Sequence, residues 1–465
     1  MKTENDLKKD MRISVVEGIY AQFCSTLTGV ASNFITKTAV LLNATNIQFS
    51  LLSAIAQICQ FFQLYAVLHN QKVESRKKPC VLFAFWGRLL CLFIGFSFVI
   101  TNPKVAFLFF LVLLFTSVAL QTVSNNMWIA WMSDLIPKRI RGRFFSRRMQ
   151  IHLVSGFLIG YLFSFFIDMF ESTTGSWKHN LLQKMNIIQF FQVNNLPYAL
   201  TLIFIIGTGL GLYGLTKLYN QGERVIKKSI SKDFSIYEPL LNSDFRKLLR
   251  FGLWWMFAIG IGSAFWGPFM IKVLKLSLVQ MQLYGMIQTI GMLVAFRFWG
   301  KLIDKFGNKT VMKICVFIGA INPCLWLFFT ETSYSLIWIE AFSSGVMWSG
   351  ANLVTFNFVL SIAPRGKEQH WSALYSALTG FMMLSTILLS GFLYPSKIVI
   401  GNLTLLPEQV LFGLTGIFRL SAEIPLYFVN EPRSIPLRKT IGLVPEYVAA
   451  KIIKFKDMVF KVLNI

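Results

Sequence analysis

The stretch Trp131–Arg148, WMSDLIPKRIRGRFFSRR, decides the fold. An acid near a helix end (Asp134), a helix-breaking Pro137 and six cations stand here between two long apolar runs. A weaker echo lies 227 residues on, at Phe358–Tyr375, FVLSIAPRGKEQHWSALY. In that register Pro137 falls on Pro364, Phe144 on Trp371, and Asn125 of the preceding run on Asn352. Two halves, each with a long apolar helix running into a basic loop, mark a duplicated membrane protein.

Composition agrees. Of 465 residues 55% are hydrophobic and only 14% charged, where soluble domains carry about a quarter charged residues. The chain has about twelve apolar runs of roughly 20 residues, each enough to cross a hydrocarbon core about 30 Å thick. No strand-period alternation is sustained, which argues against an outer-membrane barrel. The expected fold is an all-α integral membrane protein of twelve spans in two six-helix pseudo-repeats. The expected units are a bundle over 1–217, a linker over 218–249, a second bundle over 250–430, and a tail over 431–465. Apolar residues recur through that tail at Val444, Val448, Ile452, Phe455, Val459 and Leu463, the pattern of an interfacial helix on an anionic leaflet.

The net charge of +24 would suit nucleic acid, but its distribution does not. Cations gather in every second connection, from Lys2–Arg12 and Lys72–Lys78 to Arg433–Lys461. The alternate connections hold little beyond Lys37, Lys104, Lys178, Lys184, Lys272, Lys275 and Lys397. This is the positive-inside bias, and it predicts both termini in the cytoplasm and insertion in the cytoplasmic (inner) membrane. The six cysteines lie in or beside apolar runs without a Cys-x-x-Cys pair, so they read as small buried hydrophobes. The four histidines form no cluster. No metal and no cofactor is expected.

Between spans 8 and 9 the chain reads GKLIDKFGNK, Gly300–Lys309. Gly300 would let helices pack closely, and Gly307 permits a tight turn. Asp304 can accept hydrogen bonds from a helix N-terminus or pair with an Arg. Such a segment can latch two bundles in one state and release them in another; a plain basic turn with a capping Asp is the alternative. The stretch resembles the signature loop of the major facilitator superfamily, roughly G-x-x-x-D-x-x-G-x-[RK]. Twelve spans, a repeat of six and a long middle linker resemble that superfamily along nearly the whole chain. SDLIPKRIRGRFF also resembles the loop after span 4 in a bacterial branch without assigned substrates. The resemblance implies a secondary carrier with a central cavity lined by spans 1, 4, 7 and 10, and it implies a latch at Gly300, Asp304, Gly307 and Lys309. The first-half counterpart, HNQKVESRKKP, departs from the pattern: Glu74 could stand for the acid, and both glycines are missing.

Asn125 lies 12 residues before Pro137, about 18 Å in from the helix end. Gln121, Asn125 and Trp128 follow i, i+4, i+7 and share one helix face. The echo puts Trp348 and Asn352 at the positions of Gln121 and Asn125. Amides at that depth are costly unless they meet water, ligand or another helix. They therefore read either as a substrate site, with the tryptophans as flat apolar contacts, or as glue between helices. Arg141 and Arg143 are expected to set orientation and to contact headgroups or acids of an inner gate. Glu17 and Glu340 are the candidates for ion coupling, and Arg88 needs a buried partner. Arg419 and Glu423, four apart, are expected to neutralise each other on one helix face.

The function expected from these residues is transport of a small organic solute by a monomer in contact with membrane lipids. Coupling to protons, to sodium or to neither stays open. The contrasting readings are a transport-inactive sensor or scaffold with the same fold, and a polytopic lipid-modifying enzyme. The enzyme would need a nucleophile–base pair that His152 and Asp134 do not supply.

Overall fold

The computed structural model describes residues 4–62, 75–171, 176–223, 237–364, 367–400 and 403–431. Among them ten helices are long and apolar enough to cross a membrane, from Lys77–Phe98 to Pro407–Tyr427. These are the expected spans 3 to 12, the others being Pro103–Ser133, Arg143–Phe170, Val193–Tyr219, Ser243–Lys272, Leu278–Phe306, Asn308–Phe328, Ile337–Ile362 and Trp371–Phe392 in chain order. Span 1 is split into Glu4–Thr28 and Asn33–Leu41, and its first part is polar along its length. Span 2 is described as a helix from Asn46 to Gln60. Glu74 with most of its loop, residues 224–236 of the linker, and the tail from 432 lie outside the described residues.

Helix starts are encoded locally. Asn102 accepts hydrogen bonds from the N–H groups of Lys104 and Val105, and Pro103 takes the first helical position, where its missing N–H costs nothing. Asn242 caps span 7 in the same way through Asp244 and Phe245. Thr45 with Gln48, and Ser277 with Gln280, form capping boxes on spans 2 and 8.

The basic stretch after Pro137 is not a loop. It forms the opening turns of a 33-residue helix, Lys138–Phe170, and only Ile136 and Pro137 connect it to span 4. Proline cannot continue the helix before it, yet its φ of −55° suits the start of the next one. Nothing in a run of Arg, Lys, Ile and Phe then stops that helix. The signature stretch behaves alike. Gly300–Phe306 ends the helix Leu278–Phe306, the break falls at Gly307 with φ 87°, and Asn308 begins the next helix. A two-stranded hairpin, Ile398–Ile400 against Leu403–Leu405, adds a small β element between spans 11 and 12.

In the first half, spans 1 and 6 pack together, as do 3 and 4; in the second, span 7 packs on 11 and 12, and span 10 on 8 and 9. Across the halves, span 2 lies on span 11 and span 5 on span 8. The internal repeat exchanges these two pairs. Among the described residues, buried apolar side chains form three clusters. One joins both halves, running through Phe34, Phe49 and Phe110 to Phe265, Phe269 and Phe412. The other two stay within one half each, around Trp131 and Leu215 in the first and around Trp255, Trp299 and Trp371 in the second. The shared cluster lies at the end remote from Pro137 and Gly307. The bundles are thus fused at this far end and part toward the basic end.

Candidate functional site

Spans 1 and 7, equivalent under the repeat, are both interrupted. Span 1 breaks between Thr28 and Asn33, where the Ser32 hydroxyl donates to the Thr26 carbonyl at 2.7 Å and accepts from the Phe34 N–H. Span 7 breaks at Ala264–Phe265, between Ser243–Ser263 and Trp266–Lys272. Val30 and Ala31 from one break and Ser263 and Ala264 from the other line a single cavity of about 300 Å³. Irregular backbone at membrane depth persists only where protein or a cavity satisfies it. Paired interruptions in two repeats mark the substrate region of duplicated carriers.

From the span 1 break, a cavity of about 430 Å³ runs past Asn33 to Gln121 and Asn125 of span 4, with Gln282 of span 8 on its wall. Next to it, a cavity of about 280 Å³ continues toward the basic end among spans 1, 3, 4 and 5. Gln22, Ser25, Gln121 and Asn125 line both, so the two are contiguous.

The inner cavity is where the first half concentrates its charge. Arg88 of span 3 donates from Nη2 to Glu17 Oε1 at 2.8 Å and from Nη1 to the Gly211 carbonyl at 2.6 Å. Glu17 is therefore the buried partner that Arg88 requires. Gly211 makes the approach possible, since a Cβ there would lie 3.1 Å from Arg88 Cδ and 2.8 Å from Cys24. Arg148 of span 5 reaches the second Glu17 oxygen only at 3.8 Å. Its Nε donates to the Ser14 carbonyl at 3.2 Å, and its guanidinium lies 4.1 Å from the centre of the Trp128 ring. His152, one turn further along span 5, packs against Gly18, where a Cβ would come within 2.0 Å of its Nε2. That nitrogen and the Trp128 indole N–H are buried without a hydrogen-bond partner among the described residues.

Of the residues singled out in the sequence, Gln121, Asn125 and Trp128 line this path. Gln121 donates to Ser117 Oγ at 2.9 Å, so it also ties span 4 to itself and to span 3 beside Gly87. Asn125 is exposed to the cavity and makes no hydrogen bond among the described residues. Trp348 and Asn352 are not brought to these cavities. Trp348 stacks 5.7 Å from the Arg419 guanidinium, and Asn352 is exposed on span 10. Arg419 does not pair with Glu423. Pro425 removes the N–H that would bond to the Ser421 carbonyl, span 12 stops at Ser421, and Glu423 starts a separate short helix. Arg419 instead donates to the Gly319 carbonyl at 3.1 Å and lies between the rings of Trp255 and Trp348. Glu340, 3% exposed, accepts from the Tyr284 hydroxyl at 2.8 Å.

At the basic end the latch residues separate. Asp304 is exposed and unpartnered among the described residues. Among the described residues no neighbouring element comes within 4 Å of a Cβ placed on Gly300. Its expected role in close helix packing is not realised with the bundles parted. Lys309 does make contacts, donating from Nζ to the carbonyls of Tyr427 and Val429 at 2.7 and 2.9 Å. The carboxylate that caps span 9 is Glu431, which accepts from the N–H groups of Asn308 and Lys309. Glu223, after span 6, does the same for Arg76 and Lys77 at the start of span 3. Sequence reading missed this repeated device because each acid lies more than 100 residues from its helix. Arg143 is exposed, and the Arg141 side chain lies outside the described residues.

At the far end, Asp168 of span 5 crosses to the other bundle. It accepts from the N–H groups of Leu278 and Val279, at 2.9 and 3.1 Å, at the first turn of span 8. It is 3% exposed, with Lys178 at 3.7 Å. An acid inside the apolar run FSFFIDMF was the available signal.

Residues 248–454 match the family model described as Major Facilitator Superfamily. No curated protein matches the chain. Among solved structures, the nucleoside transporter NupG in a mutant form is similar at a TM-score of 0.69 and 13% identity, over 90% of this chain and 100% of that one. The xylose transporter XylE from E. coli, in an inward open conformation, gives 0.62 and 14%, over 94% and 99%. A bacterial homologue of the iron transporter ferroportin, in an inward-facing state, gives 0.59 and 12%, over 92% and 99%. At such identities the likeness is one of fold. The second half thus matches the Major Facilitator Superfamily model, and the fold of the whole chain is the one these transporters share.

Proposed function

We propose that the chain is a secondary transporter carrying a small organic solute by alternating access, as a monomer in the cytoplasmic membrane with both termini in the cytoplasm. One observation carries this reading. The polar path from the span 1 break to Arg148 lies among parted bundles at the basic end, while a shared apolar cluster covers the far end. That is the shape of one half of an alternating cycle, with the solute region at the paired helix breaks. Gln121, Asn125 and Trp128 would hold the solute. Trp348 and Asn352 would join them only if span 10 turns toward the cavity in another state. Asp304 and Gly300 would act in the state in which the basic ends close. Glu340, buried beside Tyr284, is the better candidate for a proton-carrying group, because Glu17 is committed to Arg88. Asp168 would hold the far end shut.

The test is solute flux in proteoliposomes containing the purified full chain, with a panel of small organic solutes and an imposed pH gradient. Saturable uptake stimulated by the gradient supports proton-coupled transport. Solute binding without flux across the whole panel supports the sensor reading instead. Reporter fusions at residues 40, 230 and 465 test the orientation, and an outside signal at residue 230 refutes it.

A further inference from the structure

Resting on the transport reading, the cavity among spans 1, 3, 4 and 5 deepens it to a class of solute. The described residues on its wall include two arginines, Arg88 and Arg148, and a single acid, Glu17. Arg88 and Glu17 satisfy each other at 2.8 Å, with side chains 10% and 4% exposed. Arg148 is 14% exposed, and its nearest carboxylate oxygen is 3.8 Å away. The cavity therefore encloses about one uncompensated positive charge, and a cation in that position is costly until an anion joins it. Arg148 is held by its Nε on the Ser14 carbonyl and by the Trp128 face, which leaves guanidinium N–H groups for a ligand. Asn125 adds an amide with no protein partner among the described residues.

We infer that this cavity takes a small organic monoanion, a carboxylate set against the free guanidinium N–H groups of Arg148. A planar guanidinium matches a carboxylate in two parallel hydrogen bonds. A single negative charge neutralises the site, whereas a phosphate dianion overshoots it. The organic body extends past Asn125 into the cavity of about 430 Å³ that runs to the span 1 break.

Binding to the purified full chain is measured by titration calorimetry with matched pairs: benzoate and benzamide, phenylacetate and phenylacetamide, hexanoate and hexanamide. Carboxylates are expected to bind about 10- to 100-fold more tightly than their amides, the range for one hydrogen bond to a charged group. Arg148→Gln abolishes the preference and Arg148→Lys retains part of it. If amides bind as well as acids, if no acid of the three binds, or if Arg148→Gln leaves the preference intact, the inference is wrong. Acid binding without flux leaves it standing and overturns transport, whereas flux of neutral solutes alone does the reverse.

Discussion

Asp168 offers a measurable hold on the far end. Its two oxygens take the N–H groups of Leu278 and Val279, while Ser277 takes that of Gln280 through its side chain and that of Met281 through its carbonyl. With the Ser277 N–H on Gln280 Oε1, all four donors that open span 8 are satisfied, two of them by a residue of the other bundle. Asp168→Ala strips those two. Loss of an N-cap acceptor costs about 0.5–2 kcal/mol, and loss of a negative charge at a helix N-terminus about 0.3–1 kcal/mol. In a state with the far ends apart, water would satisfy the same donors. A total near 2 kcal/mol would therefore fall on the closed far end alone and raise the open population about 30-fold.

Thr36 reports on that population, because it lies against Gly267 of the opposite bundle beside the paired helix breaks. A cysteine introduced at Thr36, in a chain with its six native cysteines replaced by alanine, is labelled from the far side by a membrane-impermeant maleimide. Asp168→Ala should raise the labelling rate about 30-fold. Asp168→Asn, which keeps one acceptor oxygen, should raise it about fivefold, taking near half the free energy. Lys178→Gln should change it little, because a 3.7 Å contact from a partly exposed lysine is worth under about 1 kcal/mol. Equal labelling in Asp168→Ala and the parent would show that Asp168 caps span 8 without restraining the bundles.

The contacts set further outcomes. Glu17→Gln should lower stability by about 3 kcal/mol, the low end for breaking a buried ion pair because the amide oxygen still accepts from Arg88; thermal unfolding with and without Arg88→Gln checks it, and additivity of the two changes would deny their coupling. Glu431→Ala should cost about 1–2 kcal/mol by leaving the Asn308 and Lys309 N–H groups unpaired, whereas Asp304→Asn should leave the melting temperature in place and slow transport; transport equal to the parent at equal abundance would reduce Asp304 to a surface residue. Asn125→Ala should weaken solute binding more than it lowers stability, and Asn352→Ala should do so only if span 10 joins the site. A fall in melting temperature with unchanged affinity for Asn125→Ala would make that amide helix glue.

What the sequence carried and what it hid divide along the range of the interaction. Span existence follows from apolar length, and helix starts from residues adjacent to them, so Asn242 is legible as a cap from its immediate neighbours alone. The charge run after Pro137 reads as a basic loop, yet charge does not stop a helix and only Pro137 does. Arg419 misled in the opposite direction: spacing of four implied a shared face with Glu423, and Pro425 just beyond Glu423 ended the geometry on which that spacing depends. The triad of Glu17, Arg88 and Arg148 was invisible for another reason. Its members sit on spans 1, 3 and 5, and no local pattern records that three helices turn those side chains to one cavity.

The internal repeat sharpens this point. Register alone makes Gln121 and Asn125 equivalent to Trp348 and Asn352, yet only the first pair reaches the cavities. The two halves spend their shared geometry differently. Beside Asn125 stand Arg88, Arg148 and Glu17, with donors left over. Beside Trp348 stands Arg419, held by the Gly319 carbonyl and flanked by two indole rings, one of them Trp348 itself. A cation whose neighbours are aromatic faces and a backbone carbonyl is stabilised in place and steadies a core. A cation with free N–H groups on a cavity wall is available to a ligand. Duplication thus supplies paired helix breaks and paired amides. The halves differ in what their arginines face: Arg148 lines a cavity, whereas Arg419 is closed in by indole rings, its Nε without a partner among the described residues.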